Sequence, residues 1–109
     1  MIPVPGGKSI AEYIGRVKTG DDGVSVAVMH APAGWSEPAQ APAFDEFTIV
    51  ITGSIDVEHD GSTITVGAGQ ALITRAGEKV RYLTREDAHY VAICVPAFSP
   101  ELANRDEDA

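Results

Sequence analysis

Apolar positions along this chain fall into short stretches that glycine and proline separate throughout. From Val24 to Met29, valine occupies every second position, which is the period-2 pattern of a β-strand. The stretch from Phe47 to Thr52 is rich in β-branched residues and ends at Gly53, which also favours a strand. Further strands are predicted over 70–74, 79–83 and 90–95. The last of these is almost continuously apolar, so we expect both of its faces to be covered.

The clearest local signal lies between residues 54 and 66. The pair Asp60-Gly61 is typical of a two-residue turn that joins the strands of a β-hairpin. With this turn, Val57 faces Ile64, and apolar residues meet apolar ones across the pair while polar residues meet on the other side. Turn chemistry and alternation therefore predict the same register.

The two ends of the chain have their own patterns. Ser99 followed by Pro100 is typical of a helix N-cap and first helical position, which predicts a short C-terminal turn of helix. Residues 1–8 are expected to form an irregular arm, and the acidic residues 104–109 are expected to fray. Many short strands at this spacing predict an all-β antiparallel sandwich or jelly-roll barrel, as a single domain over 1–109.

Composition narrows the classes of partner. The formal net charge is −8, and such a surface repels phosphate backbones, so we expect no nucleic-acid partner; solubility is the simpler reason for the acidity. We see no apolar run long enough to span a membrane and no signal peptide, so no membrane partner is expected. The one cysteine, Cys94, cannot form an internal disulfide, which fits a cytoplasmic location.

Glycine spacing in the middle of the chain resembles the first motif of the cupin superfamily. That motif reads Gly, five residues, His-x-His, three or four residues, Glu, six residues, Gly. At these positions the sequence has Gly34, Gln40, Pro42, Glu46 and Gly53. The glycines and the glutamate match, and both histidines are replaced.

The second cupin motif has a counterpart after the hairpin. It reads Gly, five residues, Pro-x-Gly, two residues, His, three residues, Asn. The matching positions hold Gly69, Arg75, Gly77, Val80 and Thr84. Two motifs in the right order with a hairpin between them imply the cupin fold, an antiparallel double-stranded β-helix closed as a jelly-roll barrel.

The stretch 44–53 and the ending 95–97 are also similar to cupins of the ethanolamine-utilisation Q type. Cupins of that type are associated with bacterial catabolic gene clusters, and an acetate-kinase-like activity has been ascribed to them. This sequence has no glycine-rich phosphate loop, so we do not extend that activity to it.

The replaced histidines bear on metal binding. In a metal-binding cupin three His and one Glu converge on the ion, and the matching positions here hold Gln40, Pro42, Glu46 and Val80. Proline and valine cannot ligate, and transition-metal sites generally need three or more protein ligands. We therefore predict no bound metal and no cofactor. The alternative is a displaced site that uses His30 or His89.

The resemblance places Gln40 and Glu46 at positions that point into the barrel. An apolar lining disfavours a charged carboxyl, so the pKa of Glu46 is expected to rise, which suits a general acid or base. Strand alternation adds Tyr82, which shares parity with Val80, and Thr48, which shares parity with Glu46. We predict Glu46 and Tyr82 as catalytic, and Gln40 and Thr48 as ligand-binding. A hydrogen-bonded structural carboxylate is the alternative for Glu46.

Three further side chains are candidate ligand contacts. Trp35, directly after Gly34, is placed to stack on a ligand near the barrel mouth, and His30 ends the strand before the first motif. Arg75 replaces the usual proline and is placed to meet an anionic group. The alternatives are plain packing for Trp35, a structural role for His30 and a solvated turn for Arg75. Cys94 is expected to be an inert buried residue.

Two functions follow, since cupin folds host many. In the first, the barrel is a metal-independent enzyme for isomerisation, elimination or cyclisation of a small polar molecule. In the second, it is a non-catalytic small-molecule sensor or accessory protein. We also expect a two-fold symmetric homodimer, in which sheet edges pair and the N-terminal residues Ile2, Pro3 and Val4 join the neighbour's sheet.

Overall fold

The computed structural model describes residues 2–3 and 7–103, and nearly all regular structure in that part of the chain is β. The strands are β1 (Ile2–Pro3), β2 (Ser9–Ile14), β3 (Ser25–Ala31), β4 (Asp45–Thr52), β5 (Ser54–His59), β6 (Ser62–Gly67), β7 (Ala71–Thr74), β8 (Val80–Leu83) and β9 (Ala88–Val95), and the helix is α1 (Pro100–Ala103). A larger antiparallel sheet has the order β1-β2-β3-β9-β4-β7, and a smaller one has the order β6-β5-β8. The predicted all-β jelly-roll fold is confirmed.

The predicted hairpin has the predicted register. Val57 pairs with Ile64 across β5 and β6, and the strands meet at the Asp60-Gly61 turn. Both turn residues have left-handed backbone angles, with φ of 52° at Asp60 and 77° at Gly61, as a two-residue turn of this kind requires. Gly53, which precedes the hairpin, also has positive φ, and a Cβ there would collide with the backbone carbonyl of Asp87.

The apolar core lies between the two sheets. Its fully buried members come from both sheets and from the loop after β3, and they include Trp35, Val50, Ile55, Val57, Val80 and Tyr90. Inward residues alternate with outward ones along β4 and β9, as strand geometry requires.

Strand β9 departs from the prediction. Its residues 88, 90, 92 and 94 are buried, but the alternate positions are only partly covered and Val95 is 44% exposed. The expectation that both faces are covered was wrong, because the continuous apolar run lies on a sheet whose outer face is open.

The N-terminal prediction was also wrong in part. Ile2 and Pro3 pair with Ile10 and Ser9 of the same chain, so the segment begins with a strand of its own sheet rather than an irregular arm over 1–8. The chain turns back through Gly7, whose φ is 84°. The predicted addition of Ile2 and Pro3 to a neighbour's sheet stays a prediction. Val4 and the tail 104–109 lie outside the described residues.

The C-terminal helix is confirmed. The hydroxyl oxygen of Ser99 accepts a hydrogen bond from the amide of Leu102 at 3.2 Å, which caps the start of α1. Across residues 2–3 and 7–103, no helix has the length and apolar character needed to cross a membrane.

Candidate functional site

A cavity of about 210 Å³ lies between the sheets and opens beside the larger one. Its wall is mostly apolar, with Met29, Ala92 and Phe98 among the lining residues. The polar and ionisable groups on this wall include Lys8, Glu37, Gln40, Glu46, Tyr82 and Tyr90. A largely apolar cavity with a few convergent polar groups is the usual construction of a small-molecule site.

Glu46 reaches the cavity from β4 and is buried. It pairs with Cys94 of β9 on one side and with Thr74 of β7 on the other. The Thr48 hydroxyl donates to its Oε2 at 3.4 Å, and the Cys94 thiol donates to its Oε1 at 3.9 Å. Two neutral donors therefore orient the carboxyl group towards the cavity.

Tyr82 reaches the same cavity from β8 of the smaller sheet. Its hydroxyl lies 3.0 Å from the Thr74 hydroxyl, which in turn donates to the backbone carbonyl of Glu46 at 3.5 Å. Burial raises the pKa of Tyr82 far above its ordinary value, and the negative charge of Glu46 raises it further. Tyr82 is therefore a neutral phenol at physiological pH, able to donate a hydrogen bond.

Gln40 is the third predicted residue on the wall. Its backbone pairs with that of Val80 through two hydrogen bonds of 2.8 Å, which joins the loop before β4 to β8. The structure thus brings Gln40, Glu46 and Tyr82 to one cavity from three separate segments. Their catalytic and binding roles stay predictions.

Cys94 also lines the cavity but is poorly suited to act as a nucleophile. Burial raises the pKa of its thiol well above the ordinary range, and the nearby charge of Glu46 adds to this. The thiol is therefore protonated at neutral pH, in agreement with the expectation of an inert residue.

Four predicted binding residues do not line the cavity: Thr48, Trp35, Arg75 and His30. Thr48 is buried next to Glu46 and does not line the cavity, but its hydroxyl donates a hydrogen bond to the Glu46 carboxyl group. Trp35 is buried in the core rather than exposed at a mouth. Arg75 is 63% exposed and pairs with Asp45 at 3.5 Å, because the turn after β7 points it to solvent.

His30, a candidate ligand contact with a structural role as the alternative, does not line the cavity, and its side chain is 40% exposed. Ala27 and Met29 of β3 line the cavity, so alternation turns His30 to the outer face of the sheet. There its ring stacks on that of His89, with centroids 4.3 Å apart, and its Nε2 lies 3.8 Å from an oxygen of Asp87.

Four ionisable residues of the cavity, Lys8, Glu12, Glu37 and Tyr90, were missed from the sequence. The Nζ of Lys8 lies 4.3 Å from the ring centroid of Trp35 and 5.3 Å from that of Tyr90, so a buried cation rests against two aromatic faces. Lys8 had been assigned to an irregular arm. Tyr90 could have been found, since it shares parity with Cys94 on β9. Glu37 lies between Gly34 and Gln40 of the first motif, at a position where the motif specifies no residue type.

The residues present do not match a metal-binding cupin site. Pro42 and Val80 offer no donor atom, and His30 and His89 lie on the outer face of the sheet, away from Glu46. Among residues 2–3 and 7–103, no group of three or more His, Cys, Asp or Glu side chains is placed to hold a metal ion. We derive no chemistry through a metal, and the metal content stays a prediction.

A curated relative covers almost all of this chain. Endoribonuclease YbeY from Myxococcus xanthus (strain DK1622) is 44% identical over 108 residues, which is 95% of this chain and 36% of the relative. The chain therefore spans about a third of the length of that protein.

Solved structures of low identity share the fold. KdgF from Halomonas sp. is similar with a TM-score of 0.76 and 15% identity, over 94% of this chain and 89% of that one. EutQ from Clostridium difficile is similar with a TM-score of 0.72 and 16% identity, over 84% of this chain and 70% of that one. A family model described as the cupin domain matches residues 27–96, more than half of the sequence. This chain belongs to the cupin family.

Proposed function

We propose that this chain binds a small carbonyl compound in the cavity between its sheets and transfers a proton on it, with Glu46 as the base. The observation that supports this most is that the Glu46 carboxyl group, from the larger sheet, and the neutral Tyr82 phenol, from the smaller sheet, line the same cavity. A base and a hydrogen-bond donor held in a mostly apolar site are the elements of general acid–base catalysis.

The reaction would proceed by proton transfer alone. Glu46 takes a proton from the carbon next to the carbonyl, and the bonding electrons move to the carbonyl oxygen, where the Tyr82 hydroxyl donates a hydrogen bond while it accepts one from the Thr74 hydroxyl. On a 2-hydroxy carbonyl compound, the former carbonyl oxygen takes the proton of the 2-hydroxyl group, whose carbon becomes the new carbonyl, and return of the proton from Glu46 to the former carbonyl carbon completes an isomerisation. Departure of a leaving group from the adjacent carbon completes an elimination.

Lys8 supports the same chemistry. Its ammonium group, seated against Trp35 and Tyr90, is a positive charge on the cavity wall where negative charge develops on the substrate. Such preorganised charge in a water-poor site stabilises an enolate more than it would in water. Lys8 also suits a carboxylate on the substrate.

The cavity limits the size of the substrate. Its volume is about 210 Å³. An apolar cavity of about 150 Å³ holds benzene, so a ligand of roughly six to ten non-hydrogen atoms fits. Together with the formal net charge of −8, this favours a small organic molecule over an RNA strand.

A second candidate is a non-catalytic binding domain. The Myxococcus xanthus relative contains sequence similar to this chain over only about a third of its length, which is the arrangement expected of a ligand-binding module joined to another activity. In that case the cavity binds the same class of molecule without turnover.

Deuterium exchange distinguishes these candidates. The protein is incubated in heavy water with a panel of 2-oxo acids, aldoses and ketoses, and the loss of carbon-bound proton signals is followed by NMR. We expect exchange into at least one compound, slowed by about 10²-fold or more in Glu46→Gln. Glu101→Gln, an exposed carboxylate on α1, is the matched control and should exchange at the wild-type rate.

The catalytic function and the binding function predict different results in this experiment. Wild-type exchange rates in Glu46→Gln would overturn the catalytic proposal. A compound that binds equally to wild type and Glu46→Gln, with no exchange in either, would support the binding domain instead.

A further inference from the structure

A second buried carboxyl group lines the same cavity as Glu46. It belongs to Glu37, which lies in the loop between β3 and β4 and is 9% exposed. The amide of Glu37 donates to the carbonyl oxygen of Tyr82 at 3.3 Å, and the adjacent residues Ser36 and Leu83 form an antiparallel bridge. This register sets Glu37 opposite Tyr82, and both side chains line the cavity.

The Tyr82 phenol lies within reach of both carboxyl groups. Burial is the main cause that raises its pKa, and charge on Glu46 or on Glu37 raises it further. The Thr74 hydroxyl oxygen lies 3.0 Å from the phenol oxygen and 3.5 Å from the backbone carbonyl oxygen of Glu46. A substrate oxygen that accepts a hydrogen bond from the phenol therefore lies near Glu37 as well as near Glu46.

The charges on the cavity wall give the two carboxyl groups different roles. A third carboxylate, that of Glu12, accepts hydrogen bonds from the backbone amides of residues 17 and 18 at 3.1 Å and 2.8 Å, which hold it at the loop after β2. Among the described residues of the wall, Lys8 is the one with a positive charge, and it can balance one further carboxylate. A mostly apolar wall then favours a state in which either Glu37 or Glu46 keeps its proton.

A base and an acid on one wall match a reaction that moves two protons. Interconversion of a 2-hydroxy aldehyde and a 2-hydroxy ketone moves one proton between adjacent carbons and a second proton between the oxygens that those carbons bear. Glu46 serves the carbons in the function proposed above. The second transfer needs a group beside the oxygens, which is where the pairing with Tyr82 places Glu37.

We propose that the substrate is a 2-hydroxy aldehyde of three to five carbons, or the isomeric 2-hydroxy ketone, and that Glu37 carries the proton between its two oxygens. This inference rests on the proposed function, in which Glu46 transfers the carbon-bound proton. Open-chain sugars of this length have roughly six to ten non-hydrogen atoms, which agrees with the cavity of about 210 Å³.

The step balances with Glu37 unchanged at the end. After Glu46 has taken the carbon-bound proton, Glu37 gives its own proton to the former carbonyl oxygen. The resulting Glu37 carboxylate takes the proton of the 2-hydroxyl group, and the electron pair of that O–H bond forms the new carbonyl. The electron pair of the carbon–carbon double bond takes the proton back from Glu46. Glu37 is again a carboxylic acid and Glu46 again a carboxylate.

Deuterium exchange and isomerisation, measured in the same sample, test this role. Glyceraldehyde or erythrose is incubated with the protein in heavy water, and NMR follows deuterium at carbon 2 and formation of the ketose. We expect wild type to do both. In Glu37→Gln the ratio of ketose formed to deuterium exchanged should fall by about 10²-fold, because the intermediate returns to the aldehyde. This ratio does not depend on how much of the variant is folded.

Two further variants sharpen the test. Glu37→Asp keeps a carboxyl group and should recover part of the ratio. Glu101→Gln, which changes an exposed carboxylate on α1, is the control and should have the wild-type ratio.

Failure of this inference differs from failure of the proposed function. Exchange into the sugars without formation of ketose in wild type, or exchange into 2-oxo acids alone, would overturn this inference and leave the proposed function standing. No exchange into any compound would overturn both. An unchanged ratio in Glu37→Gln, including an equal fall in both rates, would show that Glu37 does not carry the second proton.

Discussion

The two sheets place their polar residues on opposite faces. In the smaller sheet, Ile55 and Val57 point into the core, while Asp56 and Glu58 point outward and pair with arginines. This is the usual pattern of an antiparallel sheet with one buried face.

The larger sheet reverses the pattern. Glu46 and Thr48 point inward to or beside the cavity, and Phe47 and Ile49 of the same strand point outward. Burying a charged carboxylate costs free energy unless a countercharge and hydrogen bonds offset it, and exposing aliphatic side chains forgoes a favourable burial. Strand β5 of the smaller sheet therefore places apolar side chains in the core, whereas β4 of the larger sheet places Glu46 at the cavity and leaves Phe47 and Ile49 on the outer face.

The largest effect should come from the interior of the smaller sheet. Ile55 is 1% exposed, and Ile55→Ala leaves a cavity in the core, so we expect the free energy of unfolding to fall by about 2–5 kcal/mol. Ile64→Ala, on the paired strand but 49% exposed, should cost less than about 1 kcal/mol. Urea denaturation measures both values. Similar costs for the two variants would break the comparison between the sheets.

A smaller change in the free energy of unfolding is expected from loss of the ion pair between Asp56 and Arg85 on the smaller sheet. The Nε of Arg85 donates to Oδ2 of Asp56 at 2.7 Å, and this hydrogen bond, the largest influence, lowers the pKa of Asp56 in the folded state. The unfolded chain therefore binds the proton more readily, and stability is lost as pH falls through the folded pKa.

Asp56→Asn should accordingly lower the free energy of unfolding by about 1 kcal/mol at neutral pH and flatten its decline in acid. Denaturation curves collected at a series of pH values give both quantities, with Glu101→Gln as the control. An unchanged acid slope in Asp56→Asn would show that this pair does not govern the pH dependence.

For a substitution on the inner face of the larger sheet, the change in the free energy of unfolding should have the opposite sign. Glu46→Gln removes a buried carboxyl group and keeps one oxygen, which can accept from Thr48 or from Cys94, while the amide NH2 can donate to the Thr48 hydroxyl. We expect the free energy of unfolding to be unchanged or to rise by up to about 1 kcal/mol, as for other residues kept for function at the expense of stability. Thermal melting measures this. A loss comparable to that of Ile55→Ala would mean that Glu46 holds the fold together.

Structural features were predictable where their sequence signal lies within one short stretch or in residues at a fixed spacing. The hairpin depends on the Asp60-Gly61 turn and on alternation within one short stretch, so its register followed directly. Glu46 and Gln40 followed from motif spacing, and Tyr82 from its parity with Val80. These inferences need turn chemistry, the resemblance to the cupin motifs and the side-chain period of a strand, all of which are visible in short stretches of sequence.

Features that depend on distant pairing were not predictable. Lys8 enters the cavity because β2 pairs with β3, and the sequence around it has no strand signal of its own. The facing of His30 stayed open, because its parity partners Val26 and Val28 are apolar and yet lie on the outer face of the sheet. The apolar run in β9 was interpreted as burial on both faces, because apolar side chains look the same in a sequence whether they meet a core or a partner.

The smallest expected effect is an unchanged tyrosine absorbance titration. It concerns Tyr82, whose phenol lies at the cavity between the two sheets. Burial and the charge of Glu46 raise the pKa of Tyr82, so this residue should stay neutral until the protein unfolds in alkali. The absorbance titration of tyrosine near 295 nm should therefore be the same in wild type and Tyr82→Phe over the range where circular dichroism shows native structure. The difference between the two proteins after unfolding gives the amplitude of one tyrosine. A difference of that size while the protein is still folded would mean that Tyr82 ionises in the native state. The inner face would then be wetter than the structure implies, and Tyr82 would compete with Glu46 as the base of the proposed reaction.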